Sequence, residues 1–418
     1  MGIAHLKTVI KGKRTTLEPF RGQKLAIDTS CFLYRFLRSE NCRKVCPLFP
    51  MLYGFAQQLS LFRQYQITPV YVFDGKPPEE KIVIVDRKKM DAKKQVDIAE
   101  LERCIAQVRQ YTTIAEVIEG LDAKTDSKIT DAIMLTEEET VDELIFSLQQ
   151  DKHKKELQAF KPNADNIGQV KELFETFGVP MIQAPHEADA LVAQLWRNGL
   201  VTGVVTIDTD QFAYGADNVL LVEGSVNDLD AYKINDVYAS IGLTPSEFLD
   251  FCIMCGCDYL KNIPKLGIKT ALKLIKEHHN IETILQNLPA DSYVVPENYL
   301  DSFNIARGLF LNNPDGTVPD TVTAESLIWR MDQEKAKTWL SEKYPTVYNQ
   351  FHKTLFPGKS VQGSISQFFL KPISTPDVPV QETSVTNNNP ANPTDTIEPT
   401  EPVKERSPKV FNKRFKII

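Results

Sequence analysis

Three apolar runs of this chain each end in an aspartate: Lys24-Leu-Ala-Ile-Asp28, Thr68-Pro-Val-Tyr-Val-Phe-Asp74 and Gly203-Val-Val-Thr-Ile-Asp208. Read as strands of an open parallel sheet, they bring their carboxylates to one edge, because ligands of such sheets bind at the carboxyl ends of the strands. Further acids follow at short spacing. Asp210 lies two residues after Asp208, on the same side if the chain stays extended. Glu187 and Asp189 follow a further apolar run after Ala184-Pro185, where a helix start tolerates negative charge, and Asp258 ends an apolar helix, Phe248 to Cys257. Any one of these acids could equally be a cap or turn residue. Together in one cleft they would repel strongly unless cations sat between them. With oxygen donors only, apart from His186, the set suits Mg²⁺ or Mn²⁺ rather than zinc. Two such ions about 4 Å apart are the usual device for in-line phosphodiester displacement.

The elements that would position these acids follow from hydrophobic patterning. An amphipathic helix, Leu52 to Tyr65, separates the first two strands, and a helix from Val170 to Phe177 precedes a strand near Val179 to Gln183. Val219-Leu-Leu-Val-Glu223 reads as a short run at the sheet edge. Between Lys81 and Asn166 the pattern is charged and helical, an excursion standing out from the sheet. From Ile234 onward the chain reads as helical; Thr244-Pro-Ser-Glu247 has an N-cap threonine, a proline at the first helical position and a glutamate completing a capping box. After Pro372 the composition turns to Pro, Thr, Asn and Glu, which predicts disorder.

Composition narrows the class. With 418 residues, 42% hydrophobic and 25% charged, the chain can bury a large α/β core with a tail to spare. No apolar run reaches the roughly 20 residues of a membrane span, charges interrupt the first apolar run, and Leu6 stands where a Met-Gly myristoylation signal needs Ser or Thr. The seven cysteines suit a reducing compartment. Cys252, Cys255 and Cys257, with Cys42 or Cys46, could suggest zinc, but their apolar helix marks them as small core residues. The net charge of −7 does not by itself favour a nucleic-acid partner. Basic residues nevertheless gather at Lys81, Arg87, Lys88, Lys89, Lys93 and Lys94, and again at Lys261, Lys265, Lys269 and Lys273.

Asp28-Thr-Ser, Val72-Phe-Asp-Gly-Lys-Pro-Pro78, Ala184-Pro-His-Glu-Ala-Asp-Ala190, Thr206-Ile-Asp-Thr-Asp210 and Gly256-Cys-Asp-Tyr259 resemble, in order, the motifs of the flap endonuclease family of structure-specific 5′-nucleases, of the XPG type. The resemblance implies an α/β fold: a parallel-sheet, PIN-like nuclease core with helices on both faces, a helical arch, a helix-hairpin-helix and a disordered C-terminal tail. It divides the chain into 1–80, an arch 81–166, an internal nuclease region 167–288, a helical region 289–360 and a tail 361–418. It implies that Asp28, Asp74, Glu187, Asp189, Asp208, Asp210 and Asp258 form the metal site, and that Lys81 and Lys88 approach the scissile phosphate, with Arg87 adjacent. Tyr34 would stack on a neighbouring base. Asn262 to Ala271, including Gly267 and Lys269, resembles the hairpin that holds duplex backbone, often with K⁺. Gln362-Gly-Ser-Ile-Ser-Gln-Phe-Phe369 resembles the sliding-clamp motif, with Ile365, Phe368 and Phe369 as the plug and Gln362 capping its edge.

Several positions depart from that pattern. Lys88 stands for the usual Arg, Asp189 for Glu and Lys265 for the first hairpin Gly, and the excursion is longer than a typical arch. The activity implied is cleavage of 5′ flaps and 5′–3′ exonucleolysis of DNA by a monomer in the nucleus, for Okazaki-fragment maturation and repair. A viral replication compartment would suit equally. The rivals are a 5′-exonuclease, a junction resolvase, or a catalytically silent scaffold recruited by the clamp.

Overall fold

Side chains alternate across a strand with a period of two, so a sheet covered by helices on both faces must be apolar on both. The computed structural model describes residues 2–76, 83–120, 129–130, 132–133, 140–224, 228–312 and 317–357. They contain one sheet of seven strands: β1 Lys13–Thr15, β2 Lys24–Asp28, β3 Thr68–Phe73, β4 Met181–Gln183, β5 Gly203–Thr206, β6 Val219–Val222 and β7 Leu229–Tyr232. Their spatial order is β1-β7-β6-β5-β2-β3-β4. The five strands from β6 to β4 are parallel; β7 runs antiparallel to β6 and to β1, which forms the edge.

Along β2, Ala26 enters one apolar cluster while Leu25 and Ile27 enter the other. Val70 and Val72 of β3 oppose Tyr71 and Phe73 in the same way, and Val219 and Leu221 of β6 oppose Leu220 and Val222. One cluster takes in the helices Ala188–Arg197, Pro245–Cys255 and Ile268–His278. The other takes in Thr29–Arg38, Pro50–Gln64 and Ala164–Thr176. The result is the three-layer α/β architecture expected.

Two expectations need correction. The run from Val219 is not an edge strand: β6 pairs with β5 on one side and β7 on the other. All four of its residues are buried, as a strand apolar on both faces must be. The polar strand Lys13–Thr15 takes the edge instead. The helix expected from Leu52, here Pro50–Gln64, is not amphipathic but buried nearly all round, including Gln57, Gln58 and Ser60. It lies beneath the sheet, where Gln58 Oε1 accepts from the Tyr71 hydroxyl at 2.7 Å, and against the helix Tyr348–Leu355, where Tyr53 meets Phe351 edge-on.

The capping box at Thr244 is present, the Glu247 amide donating to Thr244 Oγ1 at 3.3 Å and the Thr244 amide to Glu247 Oε2 at 2.7 Å. Within the excursion, the helices Val83–Val108 and Val141–Ala159 run antiparallel. Lys152 pairs with Glu102 and Lys155 with Asp97, so partners step backwards along one helix as the other advances. They enclose their own apolar cluster, with Leu101, Ile105, Leu144 and Leu148 buried. Cys252 and Cys255 belong to one core cluster and Cys42 and Cys46 to the other, so these cysteines are core residues. No described helix is long and apolar enough to cross a membrane.

Candidate active site

The four adjacent parallel strands β5, β2, β3 and β4 end along one edge, and each ends in or leads to an acid. Asp28 is the last residue of β2 and the N-cap of the helix Thr29–Arg38. Buried there, it accepts a hydrogen bond from Thr206 Oγ1 at 3.2 Å. Asp74 follows β3, is exposed, and accepts from the Ala188 main-chain amide at 2.8 Å, so its charge sits on the positive end of the helix Ala188–Arg197. Glu187 precedes that helix and Asp189 lies in its first turn. The Tyr259 hydroxyl donates to Glu187 Oε2 at 2.6 Å, and lies 2.8 Å from the Tyr214 hydroxyl.

The expectation that an extended run would align Asp208 with Asp210 fails. β5 ends at Thr206, Asp208 turns back to accept from the Thr209 amide at 2.6 Å, and Asp210 opens a one-turn helix, Asp210–Ala213. The hydroxyl of Thr206 drives that turn by accepting from the Asp208 amide at 3.0 Å. The apolar helix before Asp258 ends at Cys255, with Gly256 at φ 96°, so Asp258 lies beyond it rather than at its end.

Electrostatics join these positions into one site. Burial pushes Asp28 up to about 7, and repulsion from Asp74 and Asp208 adds to it. Burial also holds Asp189 well above the usual carboxylate range, reinforced by Asp28, Asp208, Asp210 and Asp74. Asp208 is raised by burial, with Asp258 contributing. A fold that collects carboxylates which hinder one another's ionisation fits hard divalent cations. Among the described residues no three His, Cys, Asp or Glu side chains grip a single point. An ion that keeps part of its water shell needs fewer than three side chains on one point.

A pH test follows. Because the folded carboxyl of Asp28 titrates near 7 against an ordinary 3.8, its contribution to metal-free stability is complete below about pH 4 and lost as pH rises towards 7. A divalent ion reverses that loss. Saturating Mg²⁺ should raise the melting temperature by about 5 °C at pH 8 and by much less at pH 5.5. Equal shifts at the two pH values in thermal melts would remove the coupling between this carboxyl cluster and the ion.

The remaining expected residues are placed as follows. Tyr34 is half-buried on the helix capped by Asp28, with Arg38 over its ring at 4.8 Å. Arg87 and Lys88 fall in the helix Val83–Val108, but their side chains, like all of Lys81, lie outside what the structure describes. So do Gln362, Ile365, Phe368 and Phe369. In the hairpin, the Leu266 amide donates to Ile263 O at 3.0 Å, with Pro264 next and Lys265 at φ 67°. This is a type II turn, in which the third position favours glycine, so the departure at Lys265 keeps the turn at some backbone strain. Gly267 N-caps the helix Ile268–His278 without a side-chain cap, and nothing lies within 4 Å of where its Cβ would be. The first-turn amides and the exposed Lys269 therefore lie open at this end, a geometry suited to an anion.

Three features escaped the sequence. The Tyr214–Tyr259 pair and Gln211, which donates to Asp189, are polar residues inside apolar segments, with the positions of Tyr259 next to Asp258 and Gln211 next to Asp210 as the signals. Gly2, at φ 82°, runs so close to Asp208 that a Cβ would stand 1.9 Å from its Oδ1. The Met-Gly start carries steric information that composition does not reveal.

Residues 1–96 match the family model of the XPG N-terminal domain and residues 178–258 that of the XPG I-region. These spans include all seven acids. Flap endonuclease 1 of Glycine max is 31% identical over 397 residues, covering 90% of this chain and 91% of that protein. Among solved structures, the catalytic core of Rad2 in complex with DNA substrate (complex III) aligns with a TM-score of 0.57 at 17% identity, over 85% of this chain and 99% of that one. Flap endonuclease-1 from Methanococcus jannaschii aligns with a TM-score of 0.53 at 20% identity, over 84% and 98%. The structural likeness defines the class of fold, a 5′-nuclease core. The sequence identity goes further: the chain belongs to the flap endonuclease family of XPG-type nucleases. It is a structure-specific flap endonuclease, a metal-dependent hydrolase with the replication and repair role of its family.

Proposed function

We propose that the enzyme hydrolyses the phosphodiester at the base of a 5′ DNA flap, and frayed 5′ ends exonucleolytically, with two Mg²⁺ ions held by Asp28, Asp74, Glu187, Asp189, Asp208, Asp210 and Asp258. Mn²⁺ would substitute. The observation that carries this is that Asp28, Asp189 and Asp208 are raised by burial and further by the charges of neighbouring acids, a penalty that added positive charge relieves. Ions bound there supply an activated water and charge stabilisation at the leaving oxygen.

The chain's own residues orient. Ala188 N fixes Asp74, Tyr259 fixes Glu187, and Thr206 fixes Asp28. Tyr34, backed by Arg38, offers an aromatic face for an unpaired base. Lys81 and Lys88, or Arg87 beside it, would offset charge on the phosphate as the bond breaks. Gly267 and Lys269 would hold duplex backbone through amides and charge, with a K⁺ ion adding positive charge there, which positions DNA without reading sequence. The segment Gln362 to Phe369 would dock on a PCNA-like sliding clamp, and the basic stretch Lys409 to Lys416 suits nuclear residence, or a viral replication compartment. The enzyme would act as a monomer on branched or flapped DNA.

Cleavage assays with Mg²⁺ on 5′-flap, nicked, blunt and four-way DNA test this. The flap should be cut fastest, at its base. Preference for blunt or nicked ends would make it an exonuclease, symmetric cutting of the four-way substrate a resolvase, and binding without cleavage a scaffold.

A further inference from the structure

Gln211 follows Asp210 in the one-turn helix Asp210–Ala213, and its side chain is wholly buried. Its Nε2 donates to the Asp189 carboxylate Oδ1 at 2.9 Å and to the Asp189 main-chain carbonyl at 3.0 Å. Turning the amide over would aim its oxygen at two acceptors, so chemistry dictates this orientation. The other end, Oε1, is buried with no hydrogen-bond partner. An amide half-satisfied in this way costs stability that an apolar residue of the same shape would not. Both bonds that it makes go to Asp189, which points to a task in placing that residue.

The contacts define that task. Asp189 has a single methylene, so its carboxylate is placed by χ1 and by the position of the first turn of the helix Ala188–Arg197. Gln211 holds both: the carbonyl bond fixes the turn and the carboxylate bond fixes the rotamer. Asp74 secures the same turn from the far side through the Ala188 amide. Since Gln211 is covalently next to Asp210, one side chain also sets the spacing between the acid after β4 and those after β5. We propose that Gln211 is a positioning residue that braces Asp189 against Asp210 and so sets the geometry of the carboxylate cleft. This rests on Asp189 being a metal ligand.

Gln211→Met tests it, because methionine keeps the shape and removes both the donor and the unmatched oxygen. The melting temperature in EDTA should be unchanged or higher. Mn²⁺ affinity, read by electron paramagnetic resonance of free Mn²⁺, should fall roughly ten- to hundredfold, as for other residues that orient metal ligands. Single-turnover flap cleavage should fall likewise at low Mg²⁺ and partly recover at high Mg²⁺, with flap affinity in EDTA unchanged. Adding Asp189→Glu to Gln211→Met should restore part of the loss, since a longer side chain can reach without the brace. Wild-type Mn²⁺ affinity in Gln211→Met, a loss matching only the unfolded fraction, or strictly additive effects in the double variant would each overturn the proposal. Asp189→Asn separates the two readings. If it leaves Mn²⁺ binding intact, the ligand assignment falls; if it impairs binding while Gln211→Met does not, only the brace falls.

Discussion

Replacing either Asp74 or Asp208 with alanine should abolish flap cleavage while leaving flap binding largely intact. Each change removes an oxygen donor and a negative charge from the cleft, and neither removes a cation that could contact phosphate. A loss of about 4 kcal/mol of transition-state stabilisation, roughly a thousandfold in rate, is the least expected. Binding without metal should hold or improve as repulsion of the DNA backbone falls. The two positions differ in a useful way. Asp208 is buried and raised by burial, and it accepts from the Thr209 amide, so Asp208→Asn, which keeps the acceptor and removes the charge, should stabilise the metal-free fold at pH 8. Asp74 is exposed and accepts from the Ala188 amide, so Asp74→Asn keeps a hydrogen-bond acceptor there but not the charge. If Asp74→Asn is as inactive as Asp74→Ala, charge is what matters. Near wild-type cleavage by either alanine variant with Mg²⁺ would end the two-metal assignment.

The double change Phe368→Ala with Phe369→Ala should abolish clamp binding and clamp stimulation, yet leave clamp-free cleavage unchanged. The described core closes with the helix Tyr348–Leu355, whose Phe351 is buried against Tyr53, and the motif follows it in the chain. Two aromatic anchors worth about 2 kcal/mol each carry most of such an interface, so affinity should fall roughly a thousandfold. A peptide spanning residues 361–372 should bind the clamp by itself in a calorimetric titration, weakened by the entropy of ordering a free chain. Absence of peptide binding, or unfolding of the nuclease by the double change, would mean that these phenylalanines serve the core instead.

Much of the site was legible because it is written in local order. A run of apolar residues ending in aspartate, repeated at Asp28, Asp74 and Asp208, states both the strand and the place of its charge. The Thr244 capping box is likewise a matter of neighbours a turn apart. Sheet order is not. Which strand flanks Val219–Val222 depends on Leu229–Tyr232 and Lys13–Thr15, short segments whose extended state comes from pairing rather than from any pattern of their own. The buried polar side of Pro50–Gln64 likewise depends on the chain crossing back over it near residue 350. The sequence alone thus determined which acids the protein possesses and that each would stand at or after the end of a strand or helix, because period and local order are properties of neighbours in the chain; the parallel pairing that sets the strand-end acids along one edge is tertiary. Only the tertiary structure decided what holds each acid in place. Gln211 reaches Asp189, Tyr259 reaches Glu187, Thr206 reaches Asp28 and Gly2 makes way for Asp208 across separations that no local pattern encodes. A hydrogen bond 2.6–2.9 Å long, as at Tyr259 and Gln211, exists only once the packing of distant segments has brought its two ends together.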